Sequence, residues 1–322
     1  MTSHLLGKAL TGAAVLAMTA GAAACGSSSS STPTTSANPT TTAAPTTTAA
    51  ASTTTSTTVA RGSGPVDVLY AGSLVDVMTK QIGPGFNTAT GYSFTGFSGD
   101  SGSLATEIKG KVSQGDIFIS ANPTVNTKLE GAANGNWVSW YATFATSPLV
   151  LGYNPSSKFA SALKTEPWYQ VLTQPGILVG RTDPATDPKG ALSVTALNSA
   201  ATTFNAPGLK SIATDTGDVY PENTLVGRLQ SGQLDVGFFY AAEAKAANID
   251  TVPLTGENLA AKYTVTVLNN APHEAAAEAF VNYLLGSAAK PALDADGFAL
   301  ITPPTVTGTG VPSSLQAVLS GQ

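Results

Sequence analysis

Short apolar runs that turn through glycine and serine into helical patterns recur along this chain, and that alternation constrains its fold more than any other feature. The first is Val66–Leu74, VDVLYAGSL. Val66, Val68 and Tyr70 alternate with Asp67, Leu69 and Ala71, and Leu69 is apolar too, which predicts a mostly buried strand. The run breaks at Ala71-Gly72-Ser73, after which Leu74, Val77, Met78 and Ile82 fall at helical spacing. A strand turning through glycine into a helix places Ser73 at the N-cap, beside unpaired N–H groups where an anion is favoured. One such serine merely caps its own helix; repetition of the turn is what points to a ligand.

The repetition is plain further on. Tyr92–Phe97 reads as a second strand and leads through SGDSGS into a helix with Leu104, Ile108 and Val112 on one face, so Ser101 and Ser103 occupy a second glycine-rich turn. Asp116–Ser120 predicts a third strand, with Pro123 and Thr124 opening a helix through Leu129. Pro148–Tyr153 and Gly176–Arg181 follow as strands, with a short helix over Trp168–Leu172 between them. The second of these strands runs into TDPATDPKG and a helical ALSVTALNSAA; Pro221-Glu222-Asn223 then opens another helix ahead of the strand Leu234–Tyr240. Strands alternating with helices predict an α/β fold.

Charge and composition narrow the partners. A net charge of −5 gives no basic footprint for nucleic acid. One cysteine and two histidines leave no internal disulfide, no cysteine-based zinc site and no imidazole cage. At 42% hydrophobic residues, the 322-residue chain can hold one or two sizeable cores.

The first residues read as an address. Lys8 precedes a small apolar run, Ala9 to Ala24, which meets Cys25 at AAAC and continues into glycine and serines. That order predicts a bacterial secretory signal over residues 1–25, with Cys25 lipidated at a lipoprotein cleavage site. Two lipid chains on Cys25 give lasting attachment to the membrane. Residues 26–64 are dominated by Ser, Thr, Ala and Pro and should form a disordered stalk, because such a tract cannot bury enough surface to order itself. The folded region is expected from Pro65.

At this point the chain resembles a known family. AGSL after the first strand, a serine-rich turn before L-A-x-x-I, and D-I-F-I-S-A are similar to bacterial molybdate-binding proteins of ABC transporters. NWVSWYATFATSPLVLGYN, DPATDPKG, LQSGQLDVGFFYAAEA and EAFVNYLLGSAAKPALDADGF resemble stretches of those proteins and of their archaeal tungstate-binding relatives, in the same order. The resemblance spans about Val66 to Ile301 and implies a two-lobed periplasmic-binding-protein fold of the second-class topology, with the ligand in the interlobe cleft. One lobe would comprise residues 65–147 and 248–322, the other 148–247. The implied function is capture of molybdate or tungstate for an ABC importer, without a cofactor, by a lipid-anchored, extracytoplasmic monomer that delivers to a membrane permease.

The family's oxyanion contacts fall here on Ser73 and Ser101 (hydroxyl and N–H), the backbone N–H of Lys189, the backbone N–H near Glu222, and the hydroxyl of Tyr240, with Ser103 and Asp187 as second contacts. Such a set fits a dianion, since neutral donors and helix N-termini replace its hydration shell without a countercharge. The archaeal relatives expand the metal's coordination with an Asp and a Glu. Asp187 matches the first, but Phe239 stands where the Glu would be, which favours a tetrahedral ion held only through its oxygens. The Lys189 side chain, in an exposed-looking turn, is expected to face water, and Glu243 and Asp235 to lie on solvated faces. Tyr70 and Tyr92 are expected to be half-buried, and Trp137, Trp140, Tyr141 and Phe144 to pack the core around the lobe crossover.

Other readings stay open. Sulfate or phosphate would suit similar donors, with Asp100 available to accept the proton of hydrogen phosphate. A surface adhesin accounts for the stalk but not for the repeated turns. A serine hydrolase would need Ser73 and His273 together, yet G-x-S-x-G is absent, because position 71 is Ala and position 75 is Val.

Overall fold

β1 (Pro65–Ala71) sits between two parallel neighbours, β2 (Ser93–Gly99) and β3 (Ile117–Ser120), and its Val66, Val68, Leu69, Tyr70 and Ala71 are all buried in the computed structural model, which describes residues 61–321. A strand covered on both faces has no solvent side, so strict alternation gives way to an apolar run. Tyr70, expected to be half-buried, is therefore fully buried, while Tyr92 is half-buried as expected. The signal segment, Cys25 and the stalk up to residue 60 lie outside the described residues.

β4 (Trp140–Tyr153) organises the rest. Its first part pairs with β8 (Ala260–Val267) and β9 (Ala299–Gly308), both antiparallel, and β8 also pairs with β3, which closes the first sheet. A register shift between Thr143 and Ala145 bends the strand. Beyond Pro148 the strand continues into the second sheet, where Leu149–Tyr153 pair with β6 (Val236–Tyr240) and Val150–Tyr153 with β7 (Asp250–Pro253). β5 (Val179–Gly180) lies parallel to β6. Because β7 pairs in the second sheet, the chain returns to the first sheet only at β8, later than position 248. The result is the two-lobed periplasmic-binding-protein fold, with helices packed on both sheets.

Differences from the sequence reading have local causes. The strand expected at Gly176–Arg181 shrinks to two residues because the Leu178 N–H is taken by the Asp235 carboxylate at 2.8 Å. Asp235, expected on a solvated face, is thus partly buried and also accepts from Ser157 at 2.6 Å. The helix from Pro123 ends at Asn126, short of Leu129, where the chain turns toward Trp137. Trp140, Tyr141 and Phe144 pack in the core at the crossover as expected, and Trp137 is partly buried against them.

Candidate functional site

Five chain segments come together at one place. β1 runs into Gly72-Ser73-Leu74, which forms a 3-10 turn rather than a capped helix start, so Ser73 is not an N-cap. Its hydroxyl instead lies 3.0 Å from the hydroxyl of Tyr263 on β8, a residue that the sequence reading missed. β2 runs into Asp100, the N-cap of the helix Ser101–Lys109. The Ser101 hydroxyl accepts from the Ala121 N–H at 3.2 Å, so its own proton is free to donate. From the other lobe come the helices Pro188–Thr203 and Glu222–Gln230 and the end of β6 at Tyr240.

The segments meet directly across the cleft. Asp100 Oδ1 accepts from the Glu222 N–H at 3.3 Å and Asp100 Oδ2 from the Thr186 hydroxyl at 2.9 Å. The Gly102 N–H donates to the Thr186 carbonyl at 2.7 Å. Glycine is required there, since a Cβ on Gly102 would stand 2.5 Å from that carbonyl oxygen. Gly72 is equally tight, its would-be Cβ lying 2.2 Å from Glu222 Cγ. Of the expected site residues, Ser73, Ser101, Lys189, Glu222 and Tyr240 are thus joined through shared neighbours. Ser103 is half-buried and takes no part in these contacts.

Two of the expected donors are already engaged. Asp187 caps its helix, with Oδ1 accepting from the N–H of Lys189 at 2.7 Å and of Gly190 at 3.3 Å, and from the Thr182 hydroxyl at 3.0 Å. The N–H groups of Lys189 and Glu222 are therefore covered by the carboxylates of Asp187 and Asp100. The Tyr240 hydroxyl, by contrast, is fully buried and has no hydrogen-bond partner among the described residues.

The largest departure from expectation is the Lys189 side chain, which is buried rather than in water. Its Nζ lies 2.8 Å from each Glu243 oxygen and 2.9 and 2.8 Å from Glu222 Oε1 and Oε2, the first of which alone has hydrogen-bond geometry. The ammonium also sits over the rings of Phe239, at 5.2 Å, and Tyr240, at 5.8 Å. Glu243 is likewise buried, contrary to expectation, because its Oε2 accepts from the Tyr240 N–H at 3.1 Å and so caps the next helix. That Y-A-A-E spacing was the available signal for Glu243; nothing in the sequence pairs it with Lys189.

The electrostatics follow from burial. Burial, then the neighbouring Glu222, push the Asp187 carboxyl up to about 8 against the pull of Lys189. Burial pushes Glu222 up to about 7 and raises Glu243 as well, again against Lys189. Burial alone would lower the Lys189 ammonium, but Glu222, Glu243 and Asp187 outweigh it and keep it charged. Tyr240 and Tyr263 are held protonated by burial.

Hydrolase geometry does not form. Ser73 faces Tyr263, whereas His273 caps the helix Glu274–Leu285, with its N–H 2.6 Å from Asp116 Oδ1 and its Nδ1 3.0 Å from Asp116 Oδ2. Asp67, Asp116 and His273 are close enough to surround a cation, but both Asp116 oxygens are occupied by these groups and by the Asp67 N–H at 2.7 Å.

Comparison with known proteins gives the family and supports the fold. The family described as bacterial extracellular solute-binding protein matches over residues 66–299. The molybdate/tungstate-binding protein WtpA of Thermococcus kodakarensis is 25% identical over 236 residues, covering 57% of this chain and 66% of that protein. The chain thus spans just under two thirds of that relative. Among solved structures, the periplasmic molybdate-binding protein of Azotobacter vinelandii matches with a TM-score of 0.58 at 22% identity, covering 73% of this chain and 99% of that one. The sulfate-binding protein SubI of Mycobacterium tuberculosis matches at 0.55 and 18%, over 74% of this chain and 88% of that one. Both structural likenesses concern the fold.

Proposed function

Because the chain belongs to the bacterial extracellular solute-binding proteins, we propose that it captures molybdate or tungstate in its interlobe cleft and hands the ion to an ABC importer. The observation that carries this reading is the Tyr240 hydroxyl, buried without a partner where the starts of the Ser101, Pro188 and Glu222 helices converge. A buried phenol that donates to nothing loses its hydration without return, unless a ligand accepts from it. Ser73 and Ser101 add hydroxyl donors. Molybdate and tungstate carry four acceptor oxygens and no proton near neutral pH, so donors are what they need. Phosphate suits the site less well, because both Asp100 oxygens already accept from protein donors.

Calorimetric titration with molybdate, tungstate, sulfate and phosphate tests the reading. Saturable one-site binding of the first two is expected, and absence of binding by all four rejects it.

Three further expectations follow. With Phe239 in place of a carboxylate and Asp187 capping its helix, the ion is held through its own oxygens alone. X-ray absorption should show about four oxygen neighbours around molybdenum, the number the tetrahedral ion itself carries, and Asp187→Asn should change affinity little near neutral pH and raise it above about pH 8, where the carboxyl would face the dianion as a like charge. A six-oxygen shell would assign Asp187 to the metal.

Gly102→Ala tests lobe closure. Its methyl group would collide with the Thr186 carbonyl, which belongs to the other lobe. Affinity should fall by about 1–3 kcal/mol, because the two lobes are pushed apart at this contact. Equal affinity in the variant would mean that the ligand does not need this contact.

The anchor is tested separately. Cys25→Ser should release the protein from membranes with its anion affinity intact; a serine variant that still sediments with membranes after signal cleavage would contradict lipidation there.

A further inference from the structure

We propose that capture of an oxyanion in this cleft takes up a proton from solvent onto the carboxylates that crowd Lys189. The inference rests on the oxyanion reading above and concerns what must happen to charge when the ion enters.

The geometry is of carboxylates in excess. Glu222 and Glu243 hold the ammonium of Lys189, and Asp187 caps the backbone at the start of the same helix; all three are no more than 6% exposed. Asp100 brings a further carboxylate onto the start of the Glu222 helix. Arg181, the other buried cation, is turned to the carbonyls of Ile212, Ala213 and Asp215 and offers the cluster nothing. The remaining groups facing Lys189 and its partners are uncharged: the hydroxyls of Ser73, Thr182, Tyr240 and Tyr263 and the ring of Phe239.

A dianion entering this region meets like charge in a place that excludes water, where an unpaired negative charge is most costly. Protonating a carboxylate removes one repulsion and creates one donor. The carboxylates have room for it. Asp187 receives its three protein hydrogen bonds on Oδ1, so Oδ2 can carry the proton without disturbing the helix cap and can then donate to the anion. Glu222 Oε2 is buried and accepts no hydrogen bond of its own, but it lies 2.8 Å from Lys189 Nζ, which makes Asp187 the better site. Glu243 is the poorer site, since both of its oxygens accept from Lys189 and one also from the Tyr240 N–H. Burial already holds Asp187 at about 8 and Glu222 at about 7, and an adjacent dianion drives both upward. A buffer acid gives up the proton, a carboxylate oxygen gains it, and no other bond changes.

Calorimetric titration of the protein with sodium molybdate, and with sodium sulfate in parallel, in buffers of different ionisation enthalpy counts these protons. Neither anion protonates near neutral pH, so the count belongs to the protein. We expect uptake of about one proton at about pH 8, with affinity falling up to about tenfold per pH unit above that and levelling off below about pH 6. Asp187→Asn should lower the count and flatten the profile; Glu222→Gln serves the same end should the first variant fold poorly. A count of zero, or proton release, with a flat profile overturns the inference and leaves the oxyanion reading standing. Failure of molybdate, tungstate, sulfate and phosphate to bind at any pH overturns that reading and this inference together.

Discussion

Replacing Lys189 by methionine should destabilise the folded protein by about 3–5 kcal/mol, the cost of leaving buried charges without their partner. Methionine keeps most of the stem volume against Phe239 and Tyr240, so the loss reports charge rather than packing. The deficit should depend on pH. A carboxyl whose folded value lies above its unfolded one is stable as the acid, and the fold loses that contribution as pH rises through the folded value. Asp187, at about 8, and Glu222, at about 7, already behave so in the native protein. Without the ammonium their values climb, so the variant should lie nearest to the parent in mild acid and furthest from it above about pH 8. Denaturant unfolding at several pH values measures this directly. A loss below about 1 kcal/mol at neutral pH, the size of an exposed ion pair, would show that water reaches the cluster.

The hydroxyl donors come next in size. Tyr240→Phe and Ser73→Ala should each weaken molybdate binding by about 1.5–3 kcal/mol, because each removes a hydrogen bond to a charged acceptor. Their effects on stability should differ. The Tyr240 hydroxyl has no partner among the described residues, so its removal should leave the ligand-free fold as stable or slightly more so. Ser73 is bonded to Tyr263, and its removal orphans a second buried hydroxyl, at a cost of about 1–3 kcal/mol. Unchanged affinity in both variants would take these residues out of the site.

Much of the fold could be read because short strands and helix starts announce themselves locally. β1, β2 and β3 lie within a residue or two of where their apolar runs placed them, and Pro221-Glu222 does open a helix. β8 was harder to see. Its Thr264 and Thr266 break the apolar run, yet both are buried, one bonded to Asn126 and the other to the Trp140 carbonyl. The site divides in the same way. Ser73, Ser101 and Tyr240 sit at turns that carry local signatures, and the structure brings them together. The charged cluster could not be foreseen, because Lys189 meets Glu222 and Glu243 across 33 and 54 positions of chain. A lysine after a proline looks solvated until the fold supplies its partners. Asp187 and Asp100 were visible as acids, but only the structure shows that they occupy the N–H groups expected to hold the ligand.

The crossing strand β4 has a mechanical consequence. It is hydrogen-bonded to β8 and β9 in one sheet and to β6 and β7 in the other, so neither sheet can melt without stripping a partner from its neighbour. The two lobes thus share one cooperative unit. Heat should therefore unfold the described region in a single transition rather than lobe by lobe. An ion that pins the cleft would then stabilise even the ends of the molecule that lie furthest from it.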